Sequence, residues 1–318
     1  MDTHIIKDYG QTVSPEVYIH ALQGHQYIPQ ADECIKRIID SYRKKNGVIE
    51  RLLDVGCGPG RLTQSIAFEH DTTIVLGVDV SPSFIEYAEK RKEGPAAWLK
   101  LQYLCQDFCV TDSKFVDRKW DVILMQGVMH HIHGDDRGIF KKRCLDLLKP
   151  GGILLIGDEF VKDYPNEATR RHNVCKFYLH IIDEARKGGF TELAREEAKN
   201  LIDDVLSGEE GAGFADDELI EKIYEQAQLV NKSFYMKGLD MNSDVHSLAT
   251  ELIRQIRQRS KTVSLKPEAL SFNRGDLKVS TSKFKKEMEY EGFVLEEMYQ
   301  MGPVDQLGGM AVMVFMKR

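Results

Sequence analysis

The chain has 318 residues, 42% of them hydrophobic and 29% charged, which is enough to bury one large core or one domain with an elaboration. A formal charge of -7 argues against a surface built mainly to neutralise nucleic-acid phosphates or anionic lipid. The 6 cysteines form no CxxC pair and have no His at zinc-site spacing, so neither a metal cluster nor a disulfide framework is expected.

The opening MDTHIIKDYG has no basic region followed by an apolar run, and no window approaches the ~20 apolar residues of a membrane helix. These features predict a cytoplasmic protein that needs neither membrane nor nucleic acid as a partner. Next, YGQTVSPEVYIHALQGHQYI sets Tyr9, Tyr18 and Tyr27 around an amphipathic stretch, and residues 1–47 are expected to form an N-terminal helical cap.

Four apolar runs rich in β-formers follow: RLLDVG (51–56), TIVLGVDV (73–80), LQYLCQDF (101–108) and WDVILMQG (120–127). Between them SPSFIEYAEKR offers a Ser N-cap with Pro82 at the first helical position. IFKKRCLDLLKPGG repeats apolar residues at helical spacing and is expected to stop at Pro150-Gly151-Gly152, before a fifth strand, GGILLIGDEF. Strands alternating with helices predict right-handed βαβ units, a parallel sheet and a ligand at the carboxyl ends of the strands.

After Asp163 the pattern turns helical. Leu219, Ile220, Ile223, Ala227 and Val230 mark one apolar face, and Val245, Leu248, Ala249, Leu252 and Ile256 mark another. Sheet grammar returns with a helix in TSKFKKEMEYEGF closing at Gly292, then strands in VLEEMYQMG and GMAVMVFMKR. The expected organisation is an α/β domain over 48–162 and 280–318, with a helical insertion over 163–279.

The loop LLDVGCGPGR carries the ligand question. Gly56, Gly58 and Gly60 alternate, whereas a dinucleotide loop of the G-x-G-x-x-G kind wants its third glycine at 61, where Arg61 stands. Asp54 precedes the first glycine, Asp79 ends the next strand beside Val80, and Asp107-Phe108 closes the third. A single acid at a strand end reads equally well as a helix cap, but three at successive strand ends point to a ligand.

This order, D-x-G-x-G-x-G, an acid after strand two, an acid-aromatic pair after strand three and KPGG before strand five, resembles the class I S-adenosyl-L-methionine-dependent methyltransferases. The resemblance spans 48–160, with 280–318 matching by architecture. It implies a Rossmann-like seven-stranded α/β sheet whose last strand is antiparallel. It also implies that Gly56, Gly58 and Gly60 lie against the methionine part of the cofactor with Asp54 near its amino group. Asp79 with Val80 would hold the ribose, Asp107 with Phe108 the adenine, and Gln126 would face the methionine moiety through its backbone.

A sulfonium methyl is already activated, so alignment of the acceptor and exclusion of water come first, and a base is needed only for an acceptor that arrives protonated. GVMHHIHGDD places His130, His131 and His133 where the methyl should point, and Asp158 and Glu159 end strand five at the same opening. His130 and His131 are candidate bases; the alternative is that they merely fill the turn. The N-terminal layout looks like the phosphoethanolamine methyltransferases, which implies that Tyr9 meets His130 and that Tyr27 and Ile28 run along the cofactor.

The insertion is expected to act as a lid over a small-molecule substrate, with Phe177, Tyr178, Phe234, Tyr235, Met236 and Met241 as pocket candidates. The same residues also fit an internal core or a homodimer interface. Methyl transfer to oxygen, nitrogen or carbon is the leading reading. A pericyclase or group transferase that keeps the cofactor, or a non-catalytic binding protein, is the alternative.

Overall fold

The computed structural model describes residues 15–24, 27–69, 72–92, 100–110, 119–132, 134–167, 169–170, 173–174, 176–177, 180 and 277–317. Tyr9, His133 and nearly all of the expected lid, both its apolar faces included, lie outside the described residues.

The chain divides into two compact units, the first comprising 1–19, 27–163 and 277–318 and the second 20–26 and 164–276. Among the described residues of the second, Arg170, Asn173 and Phe177 are buried, and Arg170 pairs with Glu167 at 2.6 Å.

The first unit holds β1 (Ile49–Val55), β2 (Thr72–Asp79), β3 (Leu101–Cys105), β4 (Trp120–Gln126), β5 (Leu148–Phe160), β6 (Phe293–Met301) and β7 (Gly309–Lys317). They form one sheet in the order β3-β2-β1-β4-β5-β7-β6. Strands β1 to β5 pair in parallel, and β7 runs antiparallel to both β5 and β6. The order reverses beside β1, which creates a crevice between the carboxyl ends of β1 and β4.

The apolar runs form strands because both faces of the sheet are covered. On one face Phe140, Cys144 and Leu147 of α5 (Gly134–Leu147), with Phe284 and Met288 of α6 (Thr281–Tyr290), join Leu53, Ile123, Leu154 and Phe315 in a single core. The remaining helices are α1 (Pro15–Gly24), α2 (Ile28–Asn46), α3 (Arg61–Glu69) and α4 (Pro82–Lys90). The expected Ser81 N-cap is present, its hydroxyl accepting from the Phe84 amide at 3.4 Å.

One boundary differs from the sequence reading. The helix expected to stop at Pro150 ends at Leu147, and the KPGG stretch belongs to the start of β5, where the register against β4 shifts between Trp120 and Val122. The extra residues are absorbed as an irregularity in the strand rather than as a separate turn.

Candidate active site at the carboxyl edge of the sheet

The glycine loop leaves β1 and folds back onto β2. The amides of Gly56 and Cys57 both donate to the Val78 carbonyl, at 2.7 and 3.1 Å. Gly56, Gly58 and Gly60 all have positive φ, where a side chain is costly. A Cβ on Gly56 would stand 2.3 Å from Val128 Cγ2, and one on Gly60 would stand 2.4 Å from the Tyr103 hydroxyl. At Gly58 the nearest atom is Tyr18 Cε1 at an ordinary 3.5 Å. The outer two glycines are therefore demanded by the protein's own packing. The middle one is demanded by backbone conformation, and a side chain there would meet Tyr18 and Phe84 at ordinary contact distance.

Asp79 braces this loop. Its Oδ2 accepts from the Gly58 amide at 2.8 Å and its Oδ1 from the Ser81 amide at 2.9 Å. Val80 follows, with its carbonyl 3.7 Å from Cys105 Sγ. Asp107 Oδ1 accepts from the Cys109 amide at 2.7 Å. Phe108 is buried, its ring 5.3 Å from that of Phe140 with the Arg143 guanidinium 5.7 Å over it, so the ring belongs to the core.

Asp54 is 3% exposed and accepts from Thr63 Oγ1 at 2.6 Å, which pins the start of α3 to the end of β1. Burial pushes its carboxyl up to about 7 against the opposing Thr63 hydrogen bond. Tyr18 packs its ring 5.0 Å from Phe84, and burial with Asp79 nearby pushes its phenol up to about 12. Tyr27 is buried against the turn between β6 and β7, where a Cβ on Gly302 would meet its ring at 2.4 Å; Ile28 opens α2, half-buried.

Beyond β4, Met129–His131 forms one 3-10 turn with the rings of His130 and His131 3.8 Å apart. His130 is 8% exposed. Its Nδ1 hydrogen-bonds Asp158 Oδ1, and its amide donates to Asp158 Oδ2 at 3.2 Å. With Asp158 accepting, Nδ1 is the donor of this pair. Glu159 Oε2 lies 3.9 Å from that Nε2 and 3.0 Å from the Nζ of Lys278, which is 1% exposed.

Lys278 arrives on the segment returning to the sheet. The Leu277 amide donates to the His130 carbonyl at 2.7 Å, and the Val161 amide to the Val279 carbonyl at 3.1 Å. No sequence signal marked Lys278, because no motif contains it and its partner lies more than a hundred residues earlier. Asp32 and Arg61 were likewise unmarked, although they form an ion pair beside Gln126. Among the described residues no group of His, Cys, Asp and Glu is arranged to hold a metal ion, and no helix is long and apolar enough to cross a membrane.

Comparison with known proteins decides what this edge belongs to. Residues 52–152 match a family described as a methyltransferase domain. They are a methyltransferase domain. The methyltransferase domain is 36% identical over 105 residues to the ubiquinone biosynthesis O-methyltransferase of Coxiella burnetii, a match covering 33% of this chain and 42% of that protein's length. The N-terminal Xaa-Pro-Lys N-methyltransferase 1-B of Xenopus laevis is 26% identical over 222 residues, covering 64% of this chain and 96% of the relative. Among solved structures, magnesium protoporphyrin IX methyltransferase from Synechocystis with bound S-adenosylhomocysteine aligns over 93% of this chain and 84% of its own, at 12% identity and a TM-score of 0.46.

S-adenosylmethionine is the cofactor that the sequence resemblance implies for this domain. The residues present fit it: the acids at the ends of β2 and β3 stand on one side of the glycine loop and Gln126 stands on the other. Adjacent strands are ~4.8 Å apart, so the edge from β3 to β4 spans roughly the length of an extended nucleoside joined to an amino acid.

Proposed function

We propose that the chain transfers the methyl group of S-adenosylmethionine to oxygen, nitrogen or carbon of a small molecule, with His130 as the base that accepts the acceptor's proton. The observation that carries this reading is the pairing of His130 Nδ1 with the buried carboxylate of Asp158 at the carboxyl end of β4. That pairing fixes the tautomer and leaves Nε2 as the proton acceptor. Bound at the glycine loop, the cofactor supplies an electrophilic methyl carbon.

In this reading Gly56, Gly58 and Gly60 line the methionine side, Asp79 with Val80 meets the ribose, and Asp107 with the Phe108 backbone meets the adenine. His131 packs its ring at a tilt against that of His130 and restricts its movement. Tyr9, Tyr27 and Ile28 belong to an N-terminal cap, and residues 163–279 to a helical lid that keeps water from the acceptor. Between them the relatives' names cover O- and N-methylation, so both acceptor atoms stay within the proposal. A homodimer and a cytoplasmic location complete the reading.

The direct test supplies labelled S-adenosylmethionine with fractionated metabolites and follows label in product. His130→Ala and Asp158→Asn should each cut turnover about 100- to 10,000-fold, the range for lost general-base catalysis, with S-adenosylhomocysteine affinity held. Unchanged turnover in both variants refutes the base.

A further inference from the structure

Lys278 reaches the candidate base from the segment that returns to the sheet, and the backbone on either side of it is held. The Leu277 amide donates to the His130 carbonyl at 2.7 Å, and the Val279 carbonyl accepts from the Val161 amide at 3.1 Å. Arg137 of α5 adds a clamp, its Nη2 donating to the Met129 carbonyl at 3.2 Å and to the Leu277 carbonyl at 2.6 Å. These bonds fix Lys278 between the histidine turn and the end of β5, with its side chain 1% exposed. Its Nζ stands 3.0 Å from Glu159 Oε2.

The charges around the His130 ring decide what that ammonium does. Asp158 is engaged through both oxygens: Oδ1 takes the ring Nδ1 and, at 2.7 Å, the Glu159 amide, while Oδ2 takes the His130 amide at 3.2 Å. The Glu159 carboxylate lies 3.9 Å from Nε2, beyond hydrogen-bond distance but within that of an ion pair. Two carboxylates flanking one imidazole favour the doubly protonated ring, which cannot accept a proton. A buried lysine paired with one of them cancels that half of the field and draws its oxygen away from Nε2. Among the described residues the other titratable or charged groups near the site are His131 on the same turn, Arg137, whose guanidinium bonds the two carbonyls, and Tyr18 of α1. Burial and Asp79 push the Tyr18 phenol up to about 12, with Glu159 adding to the effect, so it carries no charge here.

We propose that Lys278 is a positioning residue for methyl transfer: it holds the Glu159 carboxylate off His130 Nε2, so that the ring stays singly protonated and Nε2 is open to the acceptor's proton. This rests on the reading of His130 as the base and deepens it. The two acids that end β5 then have opposite tasks. Asp158 orients the ring through Nδ1, and Glu159 anchors the lysine instead of capturing Nε2. The clamp of Arg137 on Met129 and Leu277 keeps the turn and the lysine segment in register, so the base and its guard are set by one network of bonds.

The test reads the ring itself and needs no acceptor. The full chain, with NMR-active nitrogen in its histidines, is followed by proton–nitrogen correlation across the imidazole rings, and the His130 signals are identified by their loss in His130→Asn. At about pH 8 the wild-type ring should show one protonated and one bare nitrogen. Lys278→Met should raise the doubly protonated fraction about 10-fold or more, the least expected of an uncancelled carboxylate at this range. Adding Glu159→Gln to Lys278→Met should return the ring to its wild-type state. A lysine that served only to hold the fold would lower the melting temperature and leave the ring unchanged; that result overturns the assignment and leaves the base standing. Where Lys278→Met does not fold, the double variant is compared with Glu159→Gln at about pH 6.5. The ratio of charged to neutral ring should be about 10-fold higher in the double variant, because Lys278 stands uncompensated in Glu159→Gln, and equal ratios overturn the assignment. The base reading fails separately, on unchanged turnover in His130→Ala.

Discussion

Two side-chain decisions near the loop have consequences that can be measured one residue at a time. Gly56 and Gly58 look alike in sequence, yet only Gly56 has a neighbour, Val128, where its Cβ would stand. Gly56→Ala should therefore lower stability by about 2 kcal/mol or more, from overpacking added to backbone strain, while Gly58→Ala should cost ~1 kcal/mol and act mainly on cofactor affinity. Thermal unfolding with and without S-adenosylhomocysteine separates the two, and equal destabilisation would contradict the distinction.

Asp54 makes a second prediction, about pH. Burial raises its carboxyl to about 7 in the folded chain, against ~3.9 when unfolded. The folded state thus holds this proton more tightly, so its contribution to stability is complete below pH ~4 and is lost as pH rises through 7. Asp54→Asn cannot ionise, so the melting temperature of the variant minus that of wild type should grow from pH 5 to pH 8 in cofactor-free protein. A flat or shrinking difference would refute the assignment. What the sequence could not disclose at this scale was partnership. Asp54, Asp79 and Asp107 announced themselves by position, but that Phe108 turns into the core and that Asp32 meets Arg61 depend on packing between elements far apart in the chain.

Among the elements, α2 connects the cap region to the site. Its buried residues, Ala31, Asp32, Cys34, Ile35, Ile38 and Ile39, recur at three- and four-residue intervals and form one face. Gly47, with φ of 89°, ends the helix as its amide returns to the Arg43 carbonyl at 2.8 Å. The Cδ1 of Ile35 would lie 3.2 Å from a Cβ on Gly157 in β5, so this helix sits close on the sheet. Ile35→Ala should destabilise the fold by about 2–5 kcal/mol in urea unfolding, since the side chain is fully buried. A loss under ~0.5 kcal/mol would show that α2 is not part of the cooperative core. The central strands were legible because they are largely apolar runs, whereas the end of α5 was misplaced: Pro150 and the two glycines after it read as a helix stop but lie within β5.

Across the whole molecule, the parallel part of the sheet was readable from the order of elements, while the reversed β7 followed only from the family resemblance that the motifs carry. The acceptor was not readable, because it is chosen by side chains that no short motif fixes. The account stands on the cradle at the β1–β4 crevice. Calorimetric titration of the purified chain with S-adenosylhomocysteine measures it most directly: one site per chain, with a dissociation constant in the micromolar range or tighter, is predicted. No binding of S-adenosylhomocysteine, while a nicotinamide dinucleotide binds with that strength, would contradict it.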